Sequence, residues 1–499
     1  MNESNALIIG SGKYAAHAAE SLAAENIKTV IISSKKTNKT IESEHIKIIS
    51  EAKILSCKGT AGNFRLSVKI KNKETKIDAS EIIIAEDAIR KPNFEDYGLS
   101  RSSDIISLSE LKNCNSFEKI KTAVLLAGIK KDSNPIILKE IMQASLLMAK
   151  EKVENIYILV NNLKVGANNL EALYSETKKA GVIYFKFTET NPEIVRADNK
   201  KSVIDCADEI SMQDIRIIPD IIITDEKILP DPNLKKITSI LRLDMDENGF
   251  AQANNVWRFP IFTNRKGIFV IGTSRKIADK EIKNQDIDLV ILEILNLRNL
   301  DININEKAEI DTDKCIYCLT CYRLCNHKAI ITEPRPQIVK EACEACGLCI
   351  AECPKQAIQF ANLNKTISVI KEPEKQFFIT AFCCSRSAVP AIKSIYAEGI
   401  KLPKQLKIIE VPCAGSVSVD KIYSEFKKGA LGVMLLTCCE DNCYSETGNI
   451  HAKNRVEYIS KFFDKTGIGK EKIAIFASTS NMSGALIENI NKFIEKIEA

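Results

Sequence analysis

Two stretches of this chain carry the same run of thiols: Cys315-x2-Cys318-x2-Cys321-x3-Cys325 and Cys343-x2-Cys346-x2-Cys349-x3-Cys353-Pro354. An iron–sulfur cluster needs four thiolates in one small volume. Two-residue gaps let a single loop present three sulfurs, and the fourth comes from the other run. The spacing therefore assigns one cluster to Cys315, Cys318, Cys321 and Cys353, and a second to Cys343, Cys346, Cys349 and Cys325. Zinc takes its four ligands in paired C-x2-C units, and a disulfide framework belongs to small oxidised domains. Two runs of four suit neither, so two [4Fe–4S] clusters are expected. The first run closes on Cys325-Asn326 where the second closes on Cys353-Pro354. That difference predicts a less standard, more exposed loop around Cys325.

Six further cysteines follow three short apolar stretches: Cys383 and Cys384 after ITAF, Cys413 after IIEVP, and Cys438, Cys439 and Cys443 after GVMLLT. Read as strands separated by helices, these stretches place thiols from distant positions at strand carboxyl ends, where open α/β sheets gather ligands. One shared metal site is expected. Four thiols suffice for a [2Fe–2S] cluster, which leaves two spare. Cys57, Cys114 and Cys206 are isolated and read as core or loop residues. The four histidines show no ligand spacing, and Trp257 reads as a core aromatic. Arg323 and Lys328 lie where their charge would raise a cluster's potential.

The elements that must position these residues are those of an α/β protein. Residues 5–11 (NALIIGS) read as a strand entering Gly10-Ser11-Gly12-Lys13-Tyr14-Ala15, then a helix to about Glu25 and a second strand, Lys28 to Ser33. In such a turn Gly10 permits the tight bend, Gly12 lets the backbone approach a pyrophosphate, and Ala15 allows close helix–strand packing. The acid expected some twenty residues on, for the ribose, is replaced by Ser33-Ser34-Lys35. Residues 45–88 read as a β-meander. From Lys121 a second α/β unit alternates strands and helices to about 187. The stretches IIPDIII (217–223) and GIFVIG (267–272) are expected to return the chain to the first domain, followed by a helix near 284–297. The expected divisions are 1–120 with 210–300, 121–209, 306–361 and 375–499.

With 499 residues, 45% apolar, and a formal charge of +5, the composition is that of a globular protein of roughly three domains. Lysines interleave with acids, which argues against a nucleic-acid footprint. Of 17 cysteines, 14 follow residue 314, a usage that fits a reducing compartment. No apolar stretch is long enough to span a membrane and no signal peptide is evident. A cytoplasmic protein is expected, with any membrane contact made through a partner.

Two family resemblances follow. Val411-Pro-Cys413-Ala-Gly415, Gly429-Ala-Leu-Gly432-Val433, Cys438-x4-Cys443-Tyr444 and Gly448-Asn449 resemble the methyl-viologen-reducing hydrogenase delta subunit. That resemblance implies a [2Fe–2S] cluster with Cys413, Cys438, Cys443 and one of Cys383 and Cys384 as ligands, Cys439 being spare. Residues 1–361 resemble the A subunit of heterodisulfide reductase, through the Gly10–Ala15 loop, Leu241-Arg-Leu-Asp-Met-Asp-Glu-Asn-Gly249-Phe250 and Pro260-Ile-Phe-Thr263-Asn-Arg-Lys-Gly267-Ile-Phe-Val-Ile-Gly272-Thr273. The fusion of the two is similar to the B subunit of the quinone-interacting membrane-bound oxidoreductase. These resemblances imply a Rossmann-like FAD-binding domain with an inserted second α/β unit, a two-[4Fe–4S] ferredoxin domain and a C-terminal α/β cluster-binding domain. FAD would be held at Gly10, Gly12, Ala15, Gly272 and Thr273. The protein would be an electron-transfer subunit relaying electrons to partner subunits of a quinone-reactive or heterodisulfide-reductase-type complex in sulfur-compound metabolism. The alternative is a self-contained flavin and iron–sulfur reductase using NAD(P)H; it would need a second Gly-rich loop, and Leu126–Gly128 runs instead into Ile129-Lys-Lys-Asp.

Overall fold

The structure is a computed structural model. It describes the chain except residues 1–4, 37–42, 112–116, 129–131, 164–165, 188–190, 197–201, 209–212, 252–254, 256–257, 300–306, 363–366, 375–376 and 499. Cys114, Trp257 and the segment after Gly128 thus lie outside the described residues. The chain divides into two units, one formed by 1–85, 235–271 and 288–499, the other by 86–234 and 272–287.

The first unit begins with β1 (Ala6–Ile9), α1 (Lys13–Ala24) and β2 (Thr29–Ile32). Helix α1 forms because Ala15, Ala18, Ala19 and Leu22 make one buried stripe at helical spacing. Next come β3 (Ile46–Ile49), three antiparallel strands β4 (Ala52–Thr60), β5 (Asn63–Ile70) and β6 (Lys73–Ala79), and β7 (Glu81–Ile84). Only β4–β6 form the meander expected over 45–88. Strands β3 and β7 pair in parallel with β2 and β1; β7, buried along its length, must be covered on both faces, whereas β3 is an edge strand with Lys47 exposed.

In the second unit a parallel sheet contains β8 (Ile105–Ser107), β9 (Thr122–Ala127), β10 (Asn155–Val160), β11 (Ile183–Lys186) and β12 (Ile221–Thr224), in the order β11-β10-β9-β12-β8. Strand β12 is the expected IIPDIII stretch, and it does not return to the first sheet. It inserts between β9 and β8, so the unit reaches beyond 121–209. The GIFVIG stretch does return: β13 (Ile268–Val270) pairs with β7 and completes the order β13-β7-β1-β2-β3. A helix follows at Lys280–Asn299.

The two cysteine runs fold as a repeat within the first unit, each run containing a short helix that carries its third cysteine, Thr320–Leu324 and Leu348–Ala351. The C-terminal sheet holds β14 (Ser368–Lys371), β15 (Phe378–Cys384), β16 (Leu406–Val411), β17 (Ala430–Thr437) and β18 (Ile473–Ala477), in the order β14-β16-β15-β17-β18. Edge strand β14 is antiparallel to β16 and moves this domain's start ahead of residue 375. Helices α2 (Ala388–Ala397) and α5 (Ser483–Glu498) contribute Ile392, Ile395, Ile490 and Phe493 to the core on one face. Helices α3 (Val419–Lys427) and α4 (Gly448–Lys465) contribute Ile422, Val456, Ile459 and Phe463 on the other. Among the described residues no helix is long and apolar enough to cross a membrane.

Candidate iron–sulfur centres

The two runs adopt one backbone path twice. Tyr317, Leu319 and Lys328 have positive φ (56°, 58° and 50°), as do Ala345, Gly347 and Gln356 at the matching positions (53°, 74° and 50°). These left-handed residues turn the backbone sharply between the first three cysteines of each run and again just after the fourth. The final cysteines also match. Ala329 N–H points at Cys325 Sγ at 3.4 Å, and Ala357 N–H at Cys353 Sγ at 3.3 Å. Lys328 N–H donates to Cys325 O and Gln356 N–H to Cys353 O, both at 3.1 Å.

The thiols line two separate cavities. Cys315, Cys318, Cys321 and Cys353 surround one; Cys325, Cys343, Cys346 and Cys349 surround the other. Burial pushes the Cys346 thiol up to about 12 and Cys349 well above its ordinary value, and neighbouring thiolates add to both. Burial also raises Cys321, with Cys318, Cys315 and Cys353 adding to it. Grouped buried thiols resist losing their protons until cations compensate them, which is the donor chemistry a polynuclear iron site supplies. The two centres differ in exposure. Cys318 is exposed, as are its neighbours Ile316 and Tyr317, whereas Cys343 is buried and Cys325, Cys346 and Cys349 are half-buried. The expectation of an exposed loop around Cys325 is therefore corrected: the open centre is the other one. Asn326, half-buried, donates to Ser445 O at 3.2 Å and to Thr447 Oγ1 at 2.7 Å.

In the C-terminal sheet, Cys384, Cys413, Cys438 and Cys443 come together. Cys384 Sγ lies 3.7 Å from Cys438 Sγ. A methyl group at Gly448 would sit 2.3 Å from Cys413 Sγ and 3.4 Å from Cys443 Sγ, so both sulfurs lie against that glycine's backbone. The thiols perturb one another. Contact with Cys438 brings Cys384 down to about 6, and contact with Cys413 lowers Cys443, while Cys413 and Cys438 are raised. Such an interacting donor set fits a metal cluster. Cys383 does not join it. Successive side chains of β15 face opposite sides, and Cys383 packs into the other core with Ile379 and Ala381, so it is corrected from candidate ligand to core residue. Cys439 is half-buried, and its carbonyl accepts from Asn449 Nδ2 at 3.0 Å.

Sequence reasoning missed the residues that join the two cysteine regions. Tyr444 donates to Glu344 Oε2 at 3.1 Å, and Arg455 bridges Glu352 to the carbonyls of Gly415 and Val417. Tyr444 stands in the Cys438-x4-Cys443-Tyr444 stretch, but nothing along the chain pairs it with Glu344, and Arg455 and Glu352 are ordinary until each other is known. His327, buried beside the enclosed cavity, is pushed down to about 4 by burial and so is neutral. Arg323 donates to Cys318 O at 3.0 Å.

The dinucleotide candidates divide between the units, Gly10, Gly12 and Ala15 in the first, Gly272 and Thr273 in the second. Gly10 has φ 143° and Gly12 caps α1 without a side chain, which leaves the turn open to a phosphate group. Where a ribose acid would stand, the Ser33 hydroxyl closes on its own turn, donating to Lys35 O at 2.9 Å. Thr273 Oγ1 accepts from Ala88 N–H at 2.9 Å and donates to Glu86 O at 3.2 Å, so its hydroxyl serves the local backbone. Only the turn fits a pyrophosphate. In the second sheet, the Gly128 N–H after β9 is bonded to Asp225 Oδ2 and to the Tyr97 hydroxyl, each at 3.1 Å. A buried carboxylate thus takes the donor that a nicotinamide dinucleotide's phosphate would use.

Comparison with known proteins follows this division. Residues 379–499 match the family "Methyl-viologen-reducing hydrogenase, delta subunit", and residues 336–359 match "4Fe-4S binding domain". The chain is 28% identical over 120 residues to the iron-sulfur D subunit of the F420-non-reducing hydrogenase vhu of Methanocaldococcus jannaschii, covering 24% of this chain and 90% of that protein. It is 20% identical over 363 residues to the A subunit of the Ferredoxin:CoB-CoM heterodisulfide reductase of Methanosarcina mazei, covering 70% of this chain and 45% of that one. The A subunit of the same reductase from Methanosarcina acetivorans is 24% identical over 55% of this chain and 35% of its own length. The chain thus spans less than half the length of the reductase subunits it matches. The chain is thus similar to heterodisulfide reductase A subunits over 55–70% of its length, and its last quarter matches the hydrogenase delta-subunit family.

Proposed function

We propose that this protein is an electron-relay subunit of a multi-subunit oxidoreductase, with three iron–sulfur centres in series. Two [4Fe–4S] clusters would occupy the cavities of the repeated runs, and a [2Fe–2S] cluster would be held by Cys384, Cys413, Cys438 and Cys443. The observation that carries this is the continuity of the thiol groups. Cys321 and Cys343 share one buried cluster against which Cys325, Cys349 and Cys353 pack, and Cys346 packs against the cluster that holds Cys384, Cys413, Cys438 and Cys443.

When bound, iron–sulfur clusters accept and release single electrons, and the protein sets their burial and hydrogen bonding. Here the chain's residues aim N–H donors at cluster sulfurs, enclose the middle centre and leave the first open to a partner. FAD at Gly10, Gly12 and Ala15 is the flavin half of this reading, supported by the open turn before α1. The names of the relatives favour partners of the heterodisulfide-reductase or hydrogenase type. The sequence resemblance extends that to a quinone-reactive complex in sulfur-compound metabolism, with the protein cytoplasmic and reaching a membrane only through a partner. The carboxylate at Gly128 counts against a self-contained NAD(P)H reductase.

Anaerobic purification with iron, acid-labile sulfide and flavin quantified tests the reading. About ten irons per chain support three centres, and about eight remove the C-terminal one. Oxidation of NADH at enzyme-like rates by the isolated chain would replace the relay with the reductase.

A further inference from the structure

The repeat that forms the two [4Fe–4S] sites is broken at one position, and the break faces the third centre. After Cys353 the chain has Pro354, exposed to solvent; after Cys325 it has Asn326, half-buried against the C-terminal cysteine loop. The loops are otherwise equivalent: the same positive φ three residues after the cysteine, the same N–H to sulfur contact and the same carbonyl bond. Proline would therefore serve the enclosed cluster's loop as it serves the exposed one. Asparagine adds two donor contacts, to Ser445 O at 3.2 Å and Thr447 Oγ1 at 2.7 Å.

Those acceptors lie just after Cys443. Ser445 is buried and lines the same cavity as Cys346. On the other side of the same junction, Gly347 follows Cys346 with φ 74°, and an added Cβ there would lie 2.7 Å from Ser416 Cβ. Ser416 in turn follows Cys413 by three residues, and its hydroxyl bonds back to Cys413 O at 2.7 Å. The enclosed centre and the C-terminal centre are thus pressed together at two points, one permitted by the missing side chain of Gly347 and one drawn in by Asn326.

We infer that Asn326 is a positioning residue that clamps the Cys443–Thr447 loop against the enclosed centre and so sets the rate of electron exchange between that centre and the C-terminal one. The inference rests on the relay reading. Asn326 lines the enclosed cavity beside Cys325, and its side-chain amide donates to the loop after Cys443; it acts through the loop it holds. A docking equilibrium held by two hydrogen bonds responds to their loss by a shift of population.

The test uses the full chain, purified anaerobically, with Asn326→Pro, Asn326→Ala and, from the other side, Thr447→Val. Thr447 precedes α4 without a side-chain capping bond, so its replacement removes the contact and leaves the helix start intact. Iron and sulfide content is measured first, then the magnetic interaction between the reduced centres by electron paramagnetic resonance, then the rate of electron exchange after pulsed reduction. The expected result is wild-type iron content with exchange slowed about tenfold in both Asn326 variants, a smaller slowing in Thr447→Val, and no further loss when the two sites are changed together. Exchange at the wild-type rate in iron-replete variants overturns the clamp and leaves the relay standing. Loss of the enclosed cluster's iron in Asn326→Pro and Asn326→Ala alike also overturns it, since Asn326 would then serve assembly. Absence of any interaction between the two centres in the unaltered chain overturns the relay reading itself.

Discussion

Cys383 and Cys384 are adjacent, equally buried and chemically identical, yet only Cys384 meets Cys413, Cys438 and Cys443. Strand phase separates them, and phase is hidden in the sequence because every residue of β15 is buried; no polar alternation marks a face. Cys384→Ser is expected to lower iron by about two per chain, while Cys383→Ser keeps the full content; equal loss in both would contradict the assignment. Gly448 is the other residue whose role is visible only in three dimensions. An alanine Cβ would meet Cys413 Sγ at 2.3 Å, so Gly448→Ala should lose the C-terminal centre's absorbance and keep that of the two [4Fe–4S] sites. By contrast, the grouping of the eight cysteines of the runs around two cavities was legible from their spacing along the chain. Asn326 was legible only as an irregularity, and its direction was misread: departure from proline marks an added contact rather than an exposed loop.

Elements place these residues, and each placement has its own test. Helix α3 is fixed to the C-terminal sheet by Glu425, which is buried and accepts from Thr380 at 3.2 Å, Lys407 at 3.1 Å and Lys428 at 2.7 Å. Burial pushes this carboxyl up, but the two lysines outweigh it and its net shift is downward. A carboxyl depressed on folding stabilises fully above its unfolded value, and that gain fades as pH falls through the folded one. Glu425→Ala should cost about 3 kcal/mol at neutral pH, and Glu425→Gln should flatten the acid limb of the stability profile, read from chemical denaturation of the holo protein. An unchanged acid limb would count against the buried pair. Gly347→Ala forces a side chain into a left-handed position between Phe360 and Ser416, and a loss of about 2 kcal/mol is expected from that crowding. The sequence announced most elements through continuous apolar runs. It misplaced β7 and β12 because a short, nearly continuous apolar run states that a strand is covered on both faces but not which sheet covers it, and β3 because the alternation Ile46-Lys47-Ile48 reads equally as a meander strand.

Across the molecule, the ferredoxin-type repeat and the C-terminal sheet belong to one unit, joined through Asn326, Tyr444 and Arg455. Arg455 is buried and carries the Glu352 carboxylate on one side and two backbone carbonyls on the other. Removing it leaves those acceptors unpaired, so Arg455→Ala should lower stability by about 3 kcal/mol and weaken the interaction between the neighbouring centres; stability at the wild-type level would show the bridge to be dispensable. None of this joint could be read from the sequence, since its partners lie about a hundred residues apart and are individually unremarkable. What the sequence did reveal was the succession of modules, and with it the expectation of a relay. The central claim is that the three thiol groups hold three electrically connected centres. Its most direct test is a reductive titration of the anaerobically purified full chain followed by electron paramagnetic resonance. The account predicts uptake of about three electrons by iron–sulfur centres, with the spectrum of the enclosed centre broadened or split by both neighbours. Uptake of two, or three centres whose signals stay independent at full reduction, would contradict it.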